Sequence, residues 1–415
     1  MSKAEVLGVD VPVVRLMRLL GPDPQGVRQS LSALGILVVT SVIAGVVLGQ
    51  SHERLGELPG LLLLVPAAIA LPGKIFGTLG SRLGTAIHTG TFRMSLGLNS
   101  VVGQNVWASV VLTLLMSVVL AFFASALAFI TGVEHAIGVA DYLVVSVFGG
   151  VLAAVMVMLV TLGMATASVR FGLDPDNVTA PMVTAAGDVL ALPALVLASY
   201  LLDHDAFTAV LAAGAVVLTV VLLGLAVRSS ASLLRTVLWE SIPVLVLAGV
   251  LSLMAGVTVE NRFEVFSERP VLLVLIPGFL AAAGALGGIL SNRLSSKLHL
   301  GLIGPSVMPV RKARGDIWVI AAMALPVFVF LALVSQGAGS LIDLAGPGLS
   351  RLLGVVLLGG VLAVVVVVLV GYYGTIAAVS LGVDPDSVGI PTVTAVLDLV
   401  GALALVFAIQ AVGAA

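Results

Sequence analysis

The chain contains no cysteine among its 415 residues. Disulfides, thiolate metal centres and thiol nucleophiles are excluded at once. Charge is scarce as well: Asp, Glu, Lys and Arg make up 10% of the sequence, against roughly a quarter in soluble globular domains. That shortage argues against a water-soluble body. Aromatic residues reach only 5%, and no basic face carries interleaved aromatics, so no nucleic-acid partner is expected. No Gly-x-x-x-x-Gly-Lys-Ser/Thr segment occurs, which argues against a self-contained ATP-driven pump. A cleavable signal peptide is not expected either. The first 29 residues are polar and mixed in charge, and the first apolar run is long enough to span.

What the chain has is apolar length. Hydrophobic residues form 60% of it, with a mean hydropathy of +1.23. Apolar runs of spanning length fall at about 31–50, 58–80, 105–130, 140–169, 178–202, 206–227, 241–259, 270–291, 316–335, 352–379 and 388–411. The runs are continuous rather than alternating, which predicts helices and not barrel strands. The expected fold class is an all-α polytopic membrane protein of about eleven helices, lying in a lipid bilayer.

The sequence repeats itself. Asp174-Pro175-Asp176-Asn177-Val178-Thr179-Ala180-Pro181-Met182-Val183-Thr184-Ala185-Ala186-Gly187-Asp188 returns as Asp384-Pro385-Asp386-Ser387-Val388-Gly389-Ile390-Pro391-Thr392-Val393-Thr394-Ala395-Val396-Leu397-Asp398. Nine of the fifteen positions are identical at an offset of 210. At an offset of 211, Pro66 matches Pro277, Gly73 matches Gly284, Arg82-Leu83 matches Arg293-Leu294, His88 matches His299 and Trp107 matches Trp318. Ser30 and Gly45 match Ser241 and Gly256 in the first helix of each copy.

These matches predict a cytoplasmic segment over 1–28, a five-helix repeat over 29–203, a linker with one transmembrane helix over 204–238, and a second five-helix repeat over 239–415. Five crossings end on the side opposite their start. One extra crossing restores the starting side, so the repeats are parallel, related by a pseudo-two-fold axis along the membrane normal. The basic residues fit this count. With the N-terminus cytoplasmic, fifteen Lys and Arg, Lys74 and Arg82 among them, fall inside, and four (Arg54, Arg262, Arg269 and Arg351) fall outside. The expectation is a multi-pass protein of the cell membrane, plasma or inner, with its N-terminus in and its C-terminus out.

The candidate chemistry lies at the end of each repeated segment. Asp188 sits inside an apolar stretch. A helix starting near Asn177 places it roughly 16 Å deep, near the midplane of a ~30 Å core, and a start at Pro181 places it at about 10 Å. Thr184 lies four residues earlier on the same face. Asp398 and Thr394 repeat the arrangement. A carboxylate there is costly and marks a functional site by default. In a parallel pair the two faces can meet at the axis and present two carboxylates and two hydroxyls to one path. Hard oxygen ligands of that charge suit Mg²⁺ or Ca²⁺, and Mg²⁺ dehydrates reluctantly, so it would be held through its waters. The plain structural reading of each Asp is a buried side chain bonded to a neighbouring helix. Asp174, Asp176, Asp384 and Asp386 admit two readings, as helix-start punctuation or as a cation-attracting vestibule. His88 and His299 read as interfacial, Arg82 and Arg293 as topology anchors or gating groups, and the Gly73, Gly77, Gly80 and Gly84 face as close helix packing.

The two Asp-Pro-Asp…Pro…Thr…Asp segments, with the Pro66…Gly73…Ser81-Arg82-Leu83 and Pro277…Gly284…Asn292-Arg293-Leu294 blocks, resemble the membrane domain of MgtE-type magnesium transporters. The resemblance is closer to the solute carrier family 41 branch, in which two such domains are fused through a linking helix. It covers nearly the whole chain after residue 28. It implies a divalent cation channel or transporter, Mg²⁺ foremost, in which Asp188 and Asp398, with Thr184 and Thr394 beside them, line the pore. No catalytic residue and no cofactor are implied, and the ion is cargo. MgtE carries a large cytosolic sensor before its membrane part. About 28 residues precede the first helix here, so that sensor is expected to be missing, which leaves open a separate regulatory subunit. One chain holds both halves, so a monomer would suffice. Lys74 and Phe76 in the first repeat, and Ala285 and Gly287 in the second, replace the Asn and Glu that often follow the second-helix glycine in the fused branch.

Two other readings use the same residues. A Na⁺- or H⁺-coupled exchanger keeps the fold and lets one Asp titrate. An intramembrane aspartyl protease also needs two Asp on two helices. Its Tyr-Asp and Gly-x-Gly-Asp signatures are incomplete in Ala185-Ala186-Gly187-Asp188 and Val396-Leu397-Asp398.

Overall fold

The computed structural model describes residues 24–171, 175–203, 205–306, 308–380 and 390–414. The described residues contain helices and no strand. The order is α1 (Pro24–Gln50), α2 (His52–Glu57), a 3-10 turn (Leu61–Leu63), α3 (Leu64–His88), α4 (Val101–Thr131), α5 (Val139–Phe171), α6 (Pro175–Ser199), α7 (Asp205–Arg228), α8 (Ser232–Glu260), α9 (Phe263–Glu268), α10 (Val271–His299), α11 (Arg311–Leu341), α12 (Leu349–Ser380) and α13 (Ile390–Ala411). Among the described residues, eleven helices are long and apolar enough to cross a bilayer. The chain is a polytopic all-α protein. The short α2 and α9 break the expected loops after the first crossing of each repeat. Both are too polar and too short to span.

Local chemistry sets the helix ends. Ser100 caps α4, its hydroxyl accepting from the Gly103 amide at 2.9 Å. Gly132 closes the same helix with φ +69°, a left-handed conformation that glycine adopts freely. Pro175 opens α6 at the first helical position, where its missing N–H costs nothing.

Hydrogen bonds between crossings fix which ends lie together. The Leu234 amide at the start of α8 donates to Gln104 Oε1 at the start of α4. At the other end, the Gly60 and Leu62 amides donate to the two carboxylate oxygens of Glu260, the last residue of α8, at 2.8 and 3.1 Å. Ile137 donates there to the Pro59 carbonyl. The α8 helix therefore starts at the end where α4 starts and finishes where α3 starts, so it runs in the same direction as α1.

The two repeats grip each other reciprocally. A Cβ on Gly45 of α1 would stand 2.3 Å from the Val274 carbonyl oxygen of α10, and one on Gly256 of α8 would stand 2.2 Å from the Leu63 carbonyl oxygen. Gly45 and Gly256 are 211 residues apart, and so are Leu63 and Val274. Residue i of one copy meets j of the other, and j meets i, as a two-fold interface requires. Burial ranks the helices about this interface. The α10 helix is mostly buried, whereas α7 is mostly exposed. The linking helix α7 lies on the outside against α4 and α5, its Val210, Val217, Val220 and Leu225 exposed where lipid would cover them.

Candidate cation site between the repeats

The α6 helix carries Asp188 thirteen residues after its start at Pro175, a rise of about 20 Å and deeper than either sequence-based placement. The helix begins before Asn177, so Asn177 lies within its first turns and does not cap it. Asp188 is 5% exposed. Its Oδ2 accepts a hydrogen bond from Ser41 Oγ of α1 at 2.9 Å. In the second repeat, Asp398 Oδ2 accepts from Ser252 Oγ of α8 at 3.1 Å. Ser41 and Ser252 are 211 residues apart. Each carboxylate is thus held by a hydroxyl from the first helix of its own repeat. A buried carboxylate needs such a partner. The two aspartates lie near enough for their charges to interact across the repeats.

Small residues bring these helices together. A Cβ on Gly187 would lie 3.2 Å from the Gly73 nitrogen, so α6 is pressed on α3 beside Pro72-Gly73. In the second repeat Leu397 stands in place of Gly187, and the space comes from the opposite helix. A Cβ on Gly287 of α10 would meet Leu397 Cδ1 at 2.1 Å. The positions equivalent to Gly287 and Leu397 in the first repeat are Phe76 and Gly187, so each repeat has one large and one small residue there.

The repeats differ in charge. Lys74 of α3 reaches across to the second repeat and donates from Nζ to Asp398 Oδ2 at 3.4 Å. The two side chains are 15% and 13% exposed. Charge counting along the sequence puts Lys74 with the cytoplasmic residues that set topology. It lies ten residues into a 25-residue helix and pairs with a carboxylate of the site. The equivalent position in the second repeat is Ala285.

Of the other expected site residues, Thr394 is half-buried on α13 and faces α10 at Gly284, 3.9 Å from a Cβ built there. Thr184 and Asp176 lie within α6, and their side chains are outside the described part. Asp174, Asp384 and Asp386 lie outside the described residues. His88 ends α3. Among the described residues no group of three or more His, Asp and Glu gathers. Among the described residues, the donor set is therefore two carboxylates and the hydroxyls of Ser41 and Ser252. It suits an ion that keeps most of its water better than one stripped to a protein cage.

Sequence reasoning missed Ser41, Ser252 and the role of Lys74. The serines were detectable, since they match at the same offset as Gly45 and Gly256. Lys74 stood inside an apolar run, where a cation calls for a partner.

A family model described as MgtE, divalent cation transporter, matches residues 65–198 and 276–408. The chain belongs to this family. Each matched region ends just beyond one aspartate of the site and omits α1 or α8, which supply Ser41 and Ser252. The chain is also similar to solute carrier family 41 member 2 of Xenopus laevis, 26% identical over 396 residues, which cover 87% of this chain and 67% of that protein. The same protein of Gallus gallus is 26% identical over 412 residues, 90% of this chain and 69% of its own length. Solute carrier family 41 member 3 of Mus musculus is 25% identical over 341 residues, 78% and 68%. The matched parts thus span about two thirds of these relatives. No solved structure matches the chain.

Proposed function

We propose that this MgtE-family protein carries a hydrated divalent cation, Mg²⁺ foremost, through the membrane along the axis between its two repeats, past Asp188 and Asp398. The observation that carries this is the pairing of two carboxylates at equivalent positions, Asp188 buried and Asp398 largely so, each held by a serine of its own repeat. The Ser41 and Ser252 bonds each go to an Oδ2, so each carboxylate keeps acceptor capacity for the waters of a passing ion. Two carboxylates offset a double charge. A magnesium ion loses water reluctantly, so recognition through its waters avoids the largest part of the dehydration cost. Thr184 and Thr394, one turn earlier on the same helices, extend the polar line. Asp174, Asp176, Asp384 and Asp386 would stand at the cytoplasmic mouth, with the N-terminus on that side. One chain contains both halves of the path and serves as the transporting unit, with repeats over 29–203 and 239–415 joined by the 204–238 linker.

Liposomes loaded with a Mg²⁺-sensitive dye test this. The wild type should admit Mg²⁺, while Asp188→Asn and Asp398→Asn should admit it at no more than a tenth of that rate. Wild-type rates in both variants would refute the path. The same vesicles with imposed Na⁺ or H⁺ gradients distinguish a channel, indifferent to them, from a coupled exchanger.

A further inference from the structure

We infer that Lys74 is a tethered competitor for the transported cation: its ammonium group occupies Asp398 while the path is empty and must leave when a divalent ion arrives. This rests on the cation path proposed above and adds to it a residue that sets apparent affinity.

The placement of Lys74 argues for it. Lysines near the ends of membrane helices reach their charge back to the interface. Lys74 lies well inside α3, and its ammonium points instead to a carboxylate of the opposite repeat. The contact, at 3.4 Å, is longer than the roughly 2.7–2.9 Å of a tight charge-assisted bond. Asp398 is also held by Ser252 at 3.1 Å, so it keeps a donor if Lys74 departs. The four-carbon stem of lysine allows the head to swing without moving the helix.

Charge counting gives the consequence. Two carboxylates and one ammonium leave the empty site with a net charge of −1. A divalent ion added to that set gives +1 in a poorly hydrated space. The same ion with Lys74 withdrawn gives zero. The ammonium and the cation therefore exclude each other, as like charges a few ångströms apart do at low effective dielectric. The arrangement is one-sided, because Ala285 stands at the equivalent place in the second repeat and Asp188 has its Ser41 partner. An incoming ion would engage Asp188 first and compete for Asp398 second.

The test compares wild type with Lys74→Met, Lys74→Gln and Lys74→Arg. Two readouts are taken: the Mg²⁺ concentration giving half-maximal influx into liposomes, and that giving half of the Mg²⁺-dependent rise in Tm of the purified protein. The Met and Gln variants should lower both concentrations about tenfold, and the Arg variant, which keeps the competitor, should stay within about twofold of wild type. The Gln variant serves if the Met variant does not fold. Unchanged or raised half-saturation in Met and Gln would overturn the inference, as would an Arg variant that shifts as far as they do. If Asp188→Asn and Asp398→Asn lose transport while the neutral Lys74 variants keep wild-type half-saturation, the path stands and the competitor role alone falls. If the Asp variants transport normally, the path itself falls.

Discussion

Gly45 of α1 lies directly on the carbonyl of Val274, so close that a single added methyl group would stand 2.3 Å from the oxygen. Gly256 repeats the contact on Leu63 at 2.2 Å. The obstacle in both cases is backbone, which cannot rotate away as a side chain would. Gly45→Ala and Gly256→Ala should each push the repeats apart, costing about 1–3 kcal/mol or more, as overpacked cores do. Gly35, also in α1, has nothing within 4 Å of its built Cβ. Gly35→Ala should be neutral or slightly stabilising through helix propensity. Thermal unfolding in detergent separates the three variants. Equal Tm values for Gly45→Ala and Gly35→Ala would contradict the close contact.

The two serines of the site should not be equally important. Ser41 gives Asp188 its described hydrogen bond, whereas Asp398 has Ser252 and Lys74. Removing a donor from a buried carboxylate leaves a desolvated charge costing about 1–3 kcal/mol. Ser41→Ala should therefore lower Tm more than Ser252→Ala. In a Lys74→Met background the Ser252→Ala penalty should grow towards that of Ser41→Ala. A double-mutant cycle on Tm measures the growth, and strict additivity would show that Lys74 does not support Asp398.

Much of this layout was readable in the chain because a membrane reduces the options. A lipid environment forces backbone groups into helices, so long apolar runs gave eleven crossings, and the offset repeat gave the equivalence of Asp188 and Asp398. Contacts between copies were less readable. Lys74 meets a residue 324 positions away, and nothing local to Gly73-Lys74 names its partner. Ser41 and Ser252 are single hydroxyls in apolar helices, where serine as often bonds its own helix, as Ser109 does with the Asn105 carbonyl. The start of α6 was misplaced because Asp-Pro-Asp-Asn offers several capping residues in a row. The proline, with its fixed φ, decides the matter by opening the helix at Pro175.

A second broken symmetry lies in the packing. Between α3, α4, α5 and α6 of the first repeat is a small, mainly apolar cavity of about 40 Å³, with Ala68 and Ser117 on its wall. The equivalent positions in the second repeat are Phe279 and Phe328, whose rings meet at 5.0 Å and fill the space. Phe279→Ala should cost about 3–5 kcal/mol, since its ring also lies against Gly359. Ala68→Leu, which enters existing space, should be tolerated within about 1 kcal/mol or stabilise. Tm in detergent reads both, and an equal loss in the two would show that the first repeat has no usable room.

The last asymmetry joins charge and burial at the end of the bundle where α10 stops and α11 begins. Asp316 is 7% exposed and lies between Arg293, 3.8 Å away, and Lys297, which donates to its Oδ2. At the equivalent place the first repeat has Asn105, with Ala86 in place of Lys297. Buried there as well, Asn105 uses its amide to donate to the Val101 carbonyl at 2.9 Å. The first repeat thus holds an amide at that place with no lysine facing it. Asp316→Asn would make the second repeat resemble the first in shape while leaving Lys297 beside a neutral group. Removing one partner of a buried ion pair costs about 3–5 kcal/mol. The pair is partly open through the two cations, 23% and 29% exposed, so the loss should fall at or below the low end of that range. Asp316→Asn with Lys297→Ala should recover most of it, because the pair would then match the arrangement already stable around Asn105 and Ala86. Failure of the second substitution to restore Tm would mean that Arg293, not Lys297, is the partner that holds Asp316.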